Sequence, residues 1–116
     1  MEIYIKTELT LDTLADTIRE TLNLPDRNRA LHAENQKRYG INYGGEYYTF
    51  EALGIWLNLL RNTGEVNIPE RADFPYYLLA EAGAESDWET VDCLTRQVYA
   101  VLRRTGLNVD LASLAA

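Results

Sequence analysis

The sequence predicts an α+β fold: a two-layer sandwich in which a mainly antiparallel sheet carries two helices on one face. Three observations point there. Runs that alternate apolar and polar residues, or are rich in Tyr, Phe, Trp and branched side chains, recur along the chain with short Gly- or Pro-containing turns between them, as hairpin-linked strands do. Two stretches, one towards each end, instead repeat apolar residues at helical spacing. No linker or internal repeat divides the 116 residues, so the elements belong to a single domain, residues 1-116, in the order β-α-β-β-β-β-α.

Residues 2–9 alternate strictly. Ile3, Ile5, Thr7 and Leu9 fall on one face and Glu2, Tyr4, Lys6 and Glu8 on the other, the pattern of a strand wet on one side. Residues 11–22 place Leu11, Leu14, Ala15, Ile18 and Leu22 on one helical stripe and leave Asp12, Asp16, Arg19 and Glu20 for water. Thr10 or Asp12 caps this helix and Pro25 ends it. Residues 26–38 are the most polar part of the chain, with Arg27, Arg29, Lys37 and Arg38 clustered, and read as a loop or as a short helix around residues 30–36. Gly44 and Gly45 then separate residues 39–43 from residues 46–53. Two glycines between strand-like runs predict a tight hairpin, because both central positions of a type I′ turn need positive φ.

Residues 46–66 form the middle of the sheet, being rich in aromatic and branched residues that fit a pleated, half-buried surface. Gly54 marks a bend or bulge, and residues 55–61 continue as the next strand. With Ile55, Leu57 and Leu59 towards the helices, Trp56, Asn58 and Leu60 point away, alongside Tyr4, Tyr47 and Tyr77. Asn62-Thr63-Gly64 offers a hairpin loop from which residues 65–68 pair back, and residues 74–81 read as a further strand with Pro75 confined to its start. Ser86-Asp87-Trp88-Glu89 has the form of a capping box. The helix that follows puts Trp88, Val91, Leu94 or Thr95, Val98, Val101 and Leu102 on one stripe and closes on Arg103, Arg104 and Gly106. Residues 107–116 keep Leu107, Val109, Leu111 and Leu114, which suits either a packed arm or a frayed end.

A hydrophobic share of 47% and a charged share of 25% are those of an ordinary globular protein. No run approaches the roughly 20 apolar residues a membrane helix requires, and the alternating start carries no long apolar segment, so a cytoplasmic protein without a membrane partner is expected. Cys93 is the only cysteine and His32 the only histidine, which rules out an intrachain disulfide and leaves little room for a zinc site. No cofactor or metal is expected. The net charge of −7 repels nucleic-acid phosphates and anionic lipid and favours a basic partner, while also serving solubility.

A search for chemistry returns no nucleotide-binding glycine motif and no metalloprotease signature. Cys93 falls beside the buried stripe of the second helix, where a lone cysteine acts as a small hydrophobe, and His32 lies in the polar stretch. Carboxylate pairs such as Glu46 with Glu51 are too numerous to single one out. The basic cluster, with Tyr39 and Tyr43 as stacking groups, could grip a nucleic acid, but the net charge opposes it. The expectation is therefore a binding protein, not an enzyme, and no nucleic-acid partner. The sharpest asymmetry lies in residues 65–92, where Glu65, Glu70, Asp73, Glu81, Glu85, Asp87, Glu89 and Asp92 face the single base Arg71, with Tyr76, Tyr77 and Trp88 interleaved. Complementary charge speeds association with a basic protein and buried rings slow its release.

The short opening strand and helix, the hairpin Gly44-Gly45-Glu46-Tyr47-Tyr48, the runs Leu53-Gly54-Ile55-Trp56-Leu57-Asn58-Leu59 and Asn62-Thr63-Gly64-Glu65-Val66, the strand Asp73-Phe74-Pro75-Tyr76-Tyr77-Leu78 and the closing helix together resemble the small α+β immunity proteins. Those are encoded beside bacterial polymorphic toxins, including contact-dependent growth inhibition systems. The resemblance implies a cytoplasmic protein that binds one cognate toxin domain, often a basic nuclease, and blocks its active site or substrate groove. It brings no catalytic residues. By that mechanism Glu70, Asp73, Glu81, Glu85 and Asp87 supply charge in place of substrate phosphates, and Tyr76, Tyr77 and Trp56 serve as anchors. Two other readings stay open: a small enzyme or ligand-binding domain with a pocket between sheet and helices, and a homodimeric adaptor joined through the outer rings.

Overall fold

In the computed structural model, which describes residues 2–25, 28–32, 37–38, 41–42, 45–62, 69–83 and 87–112, strand β1 (Glu2–Lys6) leads into helix α1 (Leu11–Thr21). The Thr10 hydroxyl accepts from the Thr13 N–H at 3.2 Å and so caps α1. The helix stops before Pro25 can act. Asn23 takes φ 52°, its N–H donates to the Glu20 carbonyl and that of Leu24 to the Arg19 carbonyl, a Schellman closure built on Asn. Leu11, Leu14, Ala15 and Ile18 form the buried stripe, as the spacing predicts.

The polar stretch after Pro25 contains a strand, β2 (Asn28–His32), where sequence favours a loop or short helix; residues 33–36 lie outside the described set. The reason is tertiary: β2 finds a full antiparallel ladder along β5 (Gly45–Ala52), from Asn28 opposite Thr49 to His32 opposite Gly45. The described part of residues 39–43 is β4 (Ile41–Asn42), which pairs with β3 (Lys37–Arg38) and not with β5; Tyr39, Gly40, Tyr43 and Gly44 lie outside the described residues.

Gly54 is part of a hairpin turn and not a bulge. Ala52 pairs with Ile55, so Leu53 and Gly54 alone connect β5 to β6 (Ile55–Arg61), and both have positive φ, 53° and 74°, as a type I′ turn requires. Beyond Asn62 the predicted loop and return strand, residues 63–68, lie outside the described residues. The chain re-enters as a 3₁₀ turn (Pro69–Arg71) and then β7 (Tyr76–Ala82), which pairs with β6 and begins just after Pro75. Helix α2 (Trp88–Arg104) is capped by Asp87, one residue later than the Ser-x-x-Glu pattern suggests, and ends before Gly106 at φ 91°. The tail is a packed arm: β8 (Asn108–Ala112) pairs antiparallel with β1.

The fold is α+β. Six strands form one antiparallel sheet in the order β2-β5-β6-β7-β1-β8, and the two helices cover one face. α1 starts beyond Lys6, and Leu22 and Leu24 after its end line a gap with Ala52 near the Leu53-Gly54 turn; α2 packs over β7, β1 and β8. Ile3, Ile5, Tyr48, Phe50, Ile55, Leu57, Leu59 and Leu78 meet Leu14, Ile18, Val91, Val98 and Leu102 in the main core. The Tyr48 hydroxyl donates to Asp12 and that of Tyr76 to the Leu9 carbonyl at 2.8 Å, which fastens both ends of the β1–α1 connection.

The opposite face is only partly wet, contrary to the alternation of residues 2–9. Tyr4, Tyr47, Leu60 and Tyr77 point away from the helices, as parity predicts, yet they are buried in a second core with Phe74 and Leu79 packed against it. Glu2 is buried as well. The cover comes from the segment that holds the 3₁₀ turn: the Arg71 guanidinium lies 5.2 Å from the Tyr4 ring centre, Phe74 meets the same ring edge-on at 6.2 Å, and Arg71 is paired with Asp110. Burial, reinforced by the negative charge of Glu2, pushes the Tyr4 hydroxyl up to about 12. It remains a neutral donor at physiological pH.

Candidate functional site

The described residues expose three large apolar side chains. Leu53 occupies the β5–β6 turn and is 82% exposed; Trp56, in the second position of β6, is 39% exposed; Trp88 is 73% exposed in the first turn of α2. Pairing of Ala52 with Ile55 sets Leu53 and Trp56 together at the turn end of the sheet, whereas Trp88 belongs to a helix that packs on the face opposite Trp56. Trp88 projects from the helix start and is not part of the buried stripe, which runs through Val91, Thr95, Val98 and Leu102. Cys93, read as a hydrophobe beside that stripe, is exposed too.

On the outer face Trp56 is flanked by carboxylates. Its cross-strand partners are Glu51 on β5 and Glu81 on β7, so one row reads Glu51, Trp56, Glu81. Directly paired residues share a face with Cβ atoms about 4.5–5.5 Å apart, which sets an acid on either side of the indole. Asp87 and Glu89 stand at the start of α2. Among the described side chains Arg19 is held 3.8 Å from Glu20, Arg96 sits midway along α2, and Lys6, Arg61, Arg71, Arg103 and Arg104 lie towards the far end.

The predicted partner-binding residues divide accordingly. Trp56 and Glu81 share the turn end, and Asp87 caps α2. Glu70 and Asp73 lie at the far end, where Glu70 adjoins Arg71 in the 3₁₀ turn and Asp73 is 3.8 Å from Lys6. Glu85 lies outside the described residues. Neither tyrosine is a free anchor. Tyr77 is fully buried in the outer core, and Tyr76 points to the helix side with its hydroxyl held by Leu9. Sequence reasoning did not pick out Glu51 or Leu53 for partner binding, since their roles depend on the two-residue turn, and it set Trp88 both on the buried stripe and among the aromatic residues interleaved with acids.

Leu53 is there at a cost. A branched side chain at positive φ is less stable than Asn or Gly by roughly 1 kcal/mol, and at this exposure it recovers little by packing. Leu53→Asn is expected to raise the unfolding free energy by about 0.5–1 kcal/mol, read as a higher urea midpoint; a lower midpoint would show that Leu53 stabilises the fold after all.

Asp87 has a structural duty as well as a charge. Its carboxylate accepts from the Thr90 hydroxyl at 2.7 Å and the Thr90 N–H at 2.8 Å, and these bonds hold its pKa below the ordinary value of 3.8. A depressed folded pKa gives stability that is fully present above the ordinary value and is lost as pH falls through the folded one. Asp87→Ala should therefore melt below wild type at neutral pH, with the gap closing below pH 3.8. Melting curves of both proteins from pH 7 to 3 would test this.

The cavities offer less. A hollow of about 460 Å³ at the far end is lined by Lys6, Glu8, Asn62, Asp73 and Asn108, and a gap of about 230 Å³ between helices and sheet is lined by Leu22, Leu24, Leu57, Leu94, Val98 and Val101. The second is the pocket the ligand-binding reading asks for, but among the described residues its lining is apolar apart from Gln97 and brings no acid, base or nucleophile. Among the described residues no three His, Cys, Asp or Glu converge for a metal, and no helix is long and apolar enough to cross a membrane. No protein-family model matches the chain, and no curated protein or solved structure is significantly similar to it.

Proposed function

We propose that this chain is an immunity protein of the kind that accompanies contact-dependent growth inhibition toxins, and that it binds a cationic toxin domain, a basic nuclease, in the bacterial cytoplasm and blocks its active site or substrate groove. The observation that carries the reading is the coincidence at the turn end of the sheet of exposed Leu53 and Trp56 with Glu51 and Glu81. Exposed apolar groups of this size rimmed by charge of one sign suit a protein partner of the opposite sign. The domain performs no chemistry in this role. Its carboxylates take the place of the substrate's phosphates, and its rings fill the rest of the groove.

The test is co-expression with the toxin domain encoded beside it. Cells producing both should grow, and the two proteins should purify as a complex whose stability falls as salt is raised. Cells that die as fast with the chain as without it would end this reading.

A further inference from the structure

We infer that the row Glu51, Trp56, Glu81 is a receptor for one arginine side chain of the partner, the guanidinium lying on the indole face with a carboxylate at either edge. This rests on the reading above, that the partner is a cationic protein. Cross-strand pairing fixes the three residues side by side on the outer face, and Trp56 is the exposed ring there, since Tyr4, Tyr47 and Tyr77 are buried further along the sheet.

Arginine fits this arrangement better than lysine. A guanidinium is flat, so it can stack on an indole while its N–H groups point outward in the ring plane towards acceptors on both sides. An ammonium is compact and strongly hydrated, and it engages one carboxylate at a time. The protein already contains a comparable stack: Arg71 lies 5.2 Å over Tyr4 and pairs with Asp110, which is Tyr4's cross-strand partner on β8. Ring and neighbouring acid recur at Trp56 with an acid on both sides. Leu53, at the adjoining turn, lies within the same footprint and gives the partner an apolar contact next to the charged one.

Two probes separate this inference from the function it rests on. The first is a hexa-arginine peptide, with hexa-lysine as comparison, followed by tryptophan fluorescence. Hexa-arginine should alter the emission and bind at least about 5-fold tighter than hexa-lysine. Trp56→Phe should remove the change although Trp88 still emits, and Glu51→Gln/Glu81→Gln, which preserves shape, should weaken binding about 10-fold or more. Equal response to both peptides, or an unchanged Gln variant, would overturn the inference.

The second probe is the neighbouring toxin domain. Glu51→Lys/Glu81→Lys should lower its affinity by about 100-fold and Trp56→Ala by about 10-fold or more. Wild-type affinity in these variants would overturn the inference and leave the immunity function standing. Absence of any toxin binding would end the function reading and leave the peptide result to decide for the receptor. Sedimentation showing a dimer that Trp56→Ala dissolves would instead give the face to a second copy of the chain and overturn the proposal.

Discussion

Tyr77→Ala is expected to lower the unfolding free energy by about 3–5 kcal/mol, the range for truncating a fully buried aromatic side chain. Tyr77 has no exposed surface, packs with its ring centre 6.0 Å from that of Tyr4, and lies opposite Leu60 on β6 and Tyr4 on β1. Removing the ring leaves a void at the centre of the outer core that strands on either side cannot close without breaking register. Urea unfolding of the variant checks this directly. A loss below about 1 kcal/mol would mean that the outer layer is loosely packed. The same variant distinguishes the two roles Tyr77 could have had: as a core residue it should reduce the folded fraction while leaving affinity per folded molecule intact.

Asn62→Ala should cost about 1–3 kcal/mol, because it takes the side-chain donor from the part-buried Phe74 carbonyl and one of two donors from the Arg71 carbonyl, which also accepts from the Phe74 N–H at 2.9 Å. The Asn62 side chain donates to the Arg71 carbonyl at 3.0 Å and the Phe74 carbonyl at 3.1 Å, while its backbone N–H donates to the Pro75 carbonyl at 2.7 Å. These bonds tie residues 71–75 to the end of β6, which is what brings Arg71 and Phe74 over Tyr4. Asn62→Asp should be at least as harmful, since it removes the donors and turns a negative charge towards the same carbonyls. The loss should appear both as a lower urea midpoint and as faster hydrogen exchange at Phe74. Unchanged exchange there would show that another contact holds the segment.

What the sequence reveals and what it hides divides along the range of the interactions. Both amphipathic helices are legible because their stripes repeat over several turns, and the parity of β6 is legible because alternation is local: Ile55, Leu57 and Leu59 face the helices and Trp56, Asn58 and Leu60 face away. β2 and β8 are not, since each is a strand only by virtue of a neighbour distant in the chain, β5 for one and β1 for the other. Burial of the outer rings is hidden for the same reason. Parity tells which way Tyr77 points, but not that residues 71–75 are fastened over that face by Asn62.

The candidate site follows the same logic. Trp56 and Glu81 can be picked out as residue types, whereas Glu51 joins them only through the register that the Leu53-Gly54 turn imposes. Leucine is a poor turn signal, and so Gly54 alone reads as a bulge. Had the two-residue turn been assumed, counting back from it would have placed Glu51 opposite Trp56. Trp88 deceives in the opposite direction: it continues the spacing of the buried stripe, yet is exposed in the first turn of α2.

The acids on either side of Trp56 belong to a molecule whose net charge is −7, so a cationic body attracts it before the two surfaces touch. Collision frequency should thus be steeply sensitive to ionic strength, because a screening length of about 8 Å in physiological salt mutes that attraction beyond close approach. Residence time, set by rings and apolar contact once the surfaces meet, should scarcely change.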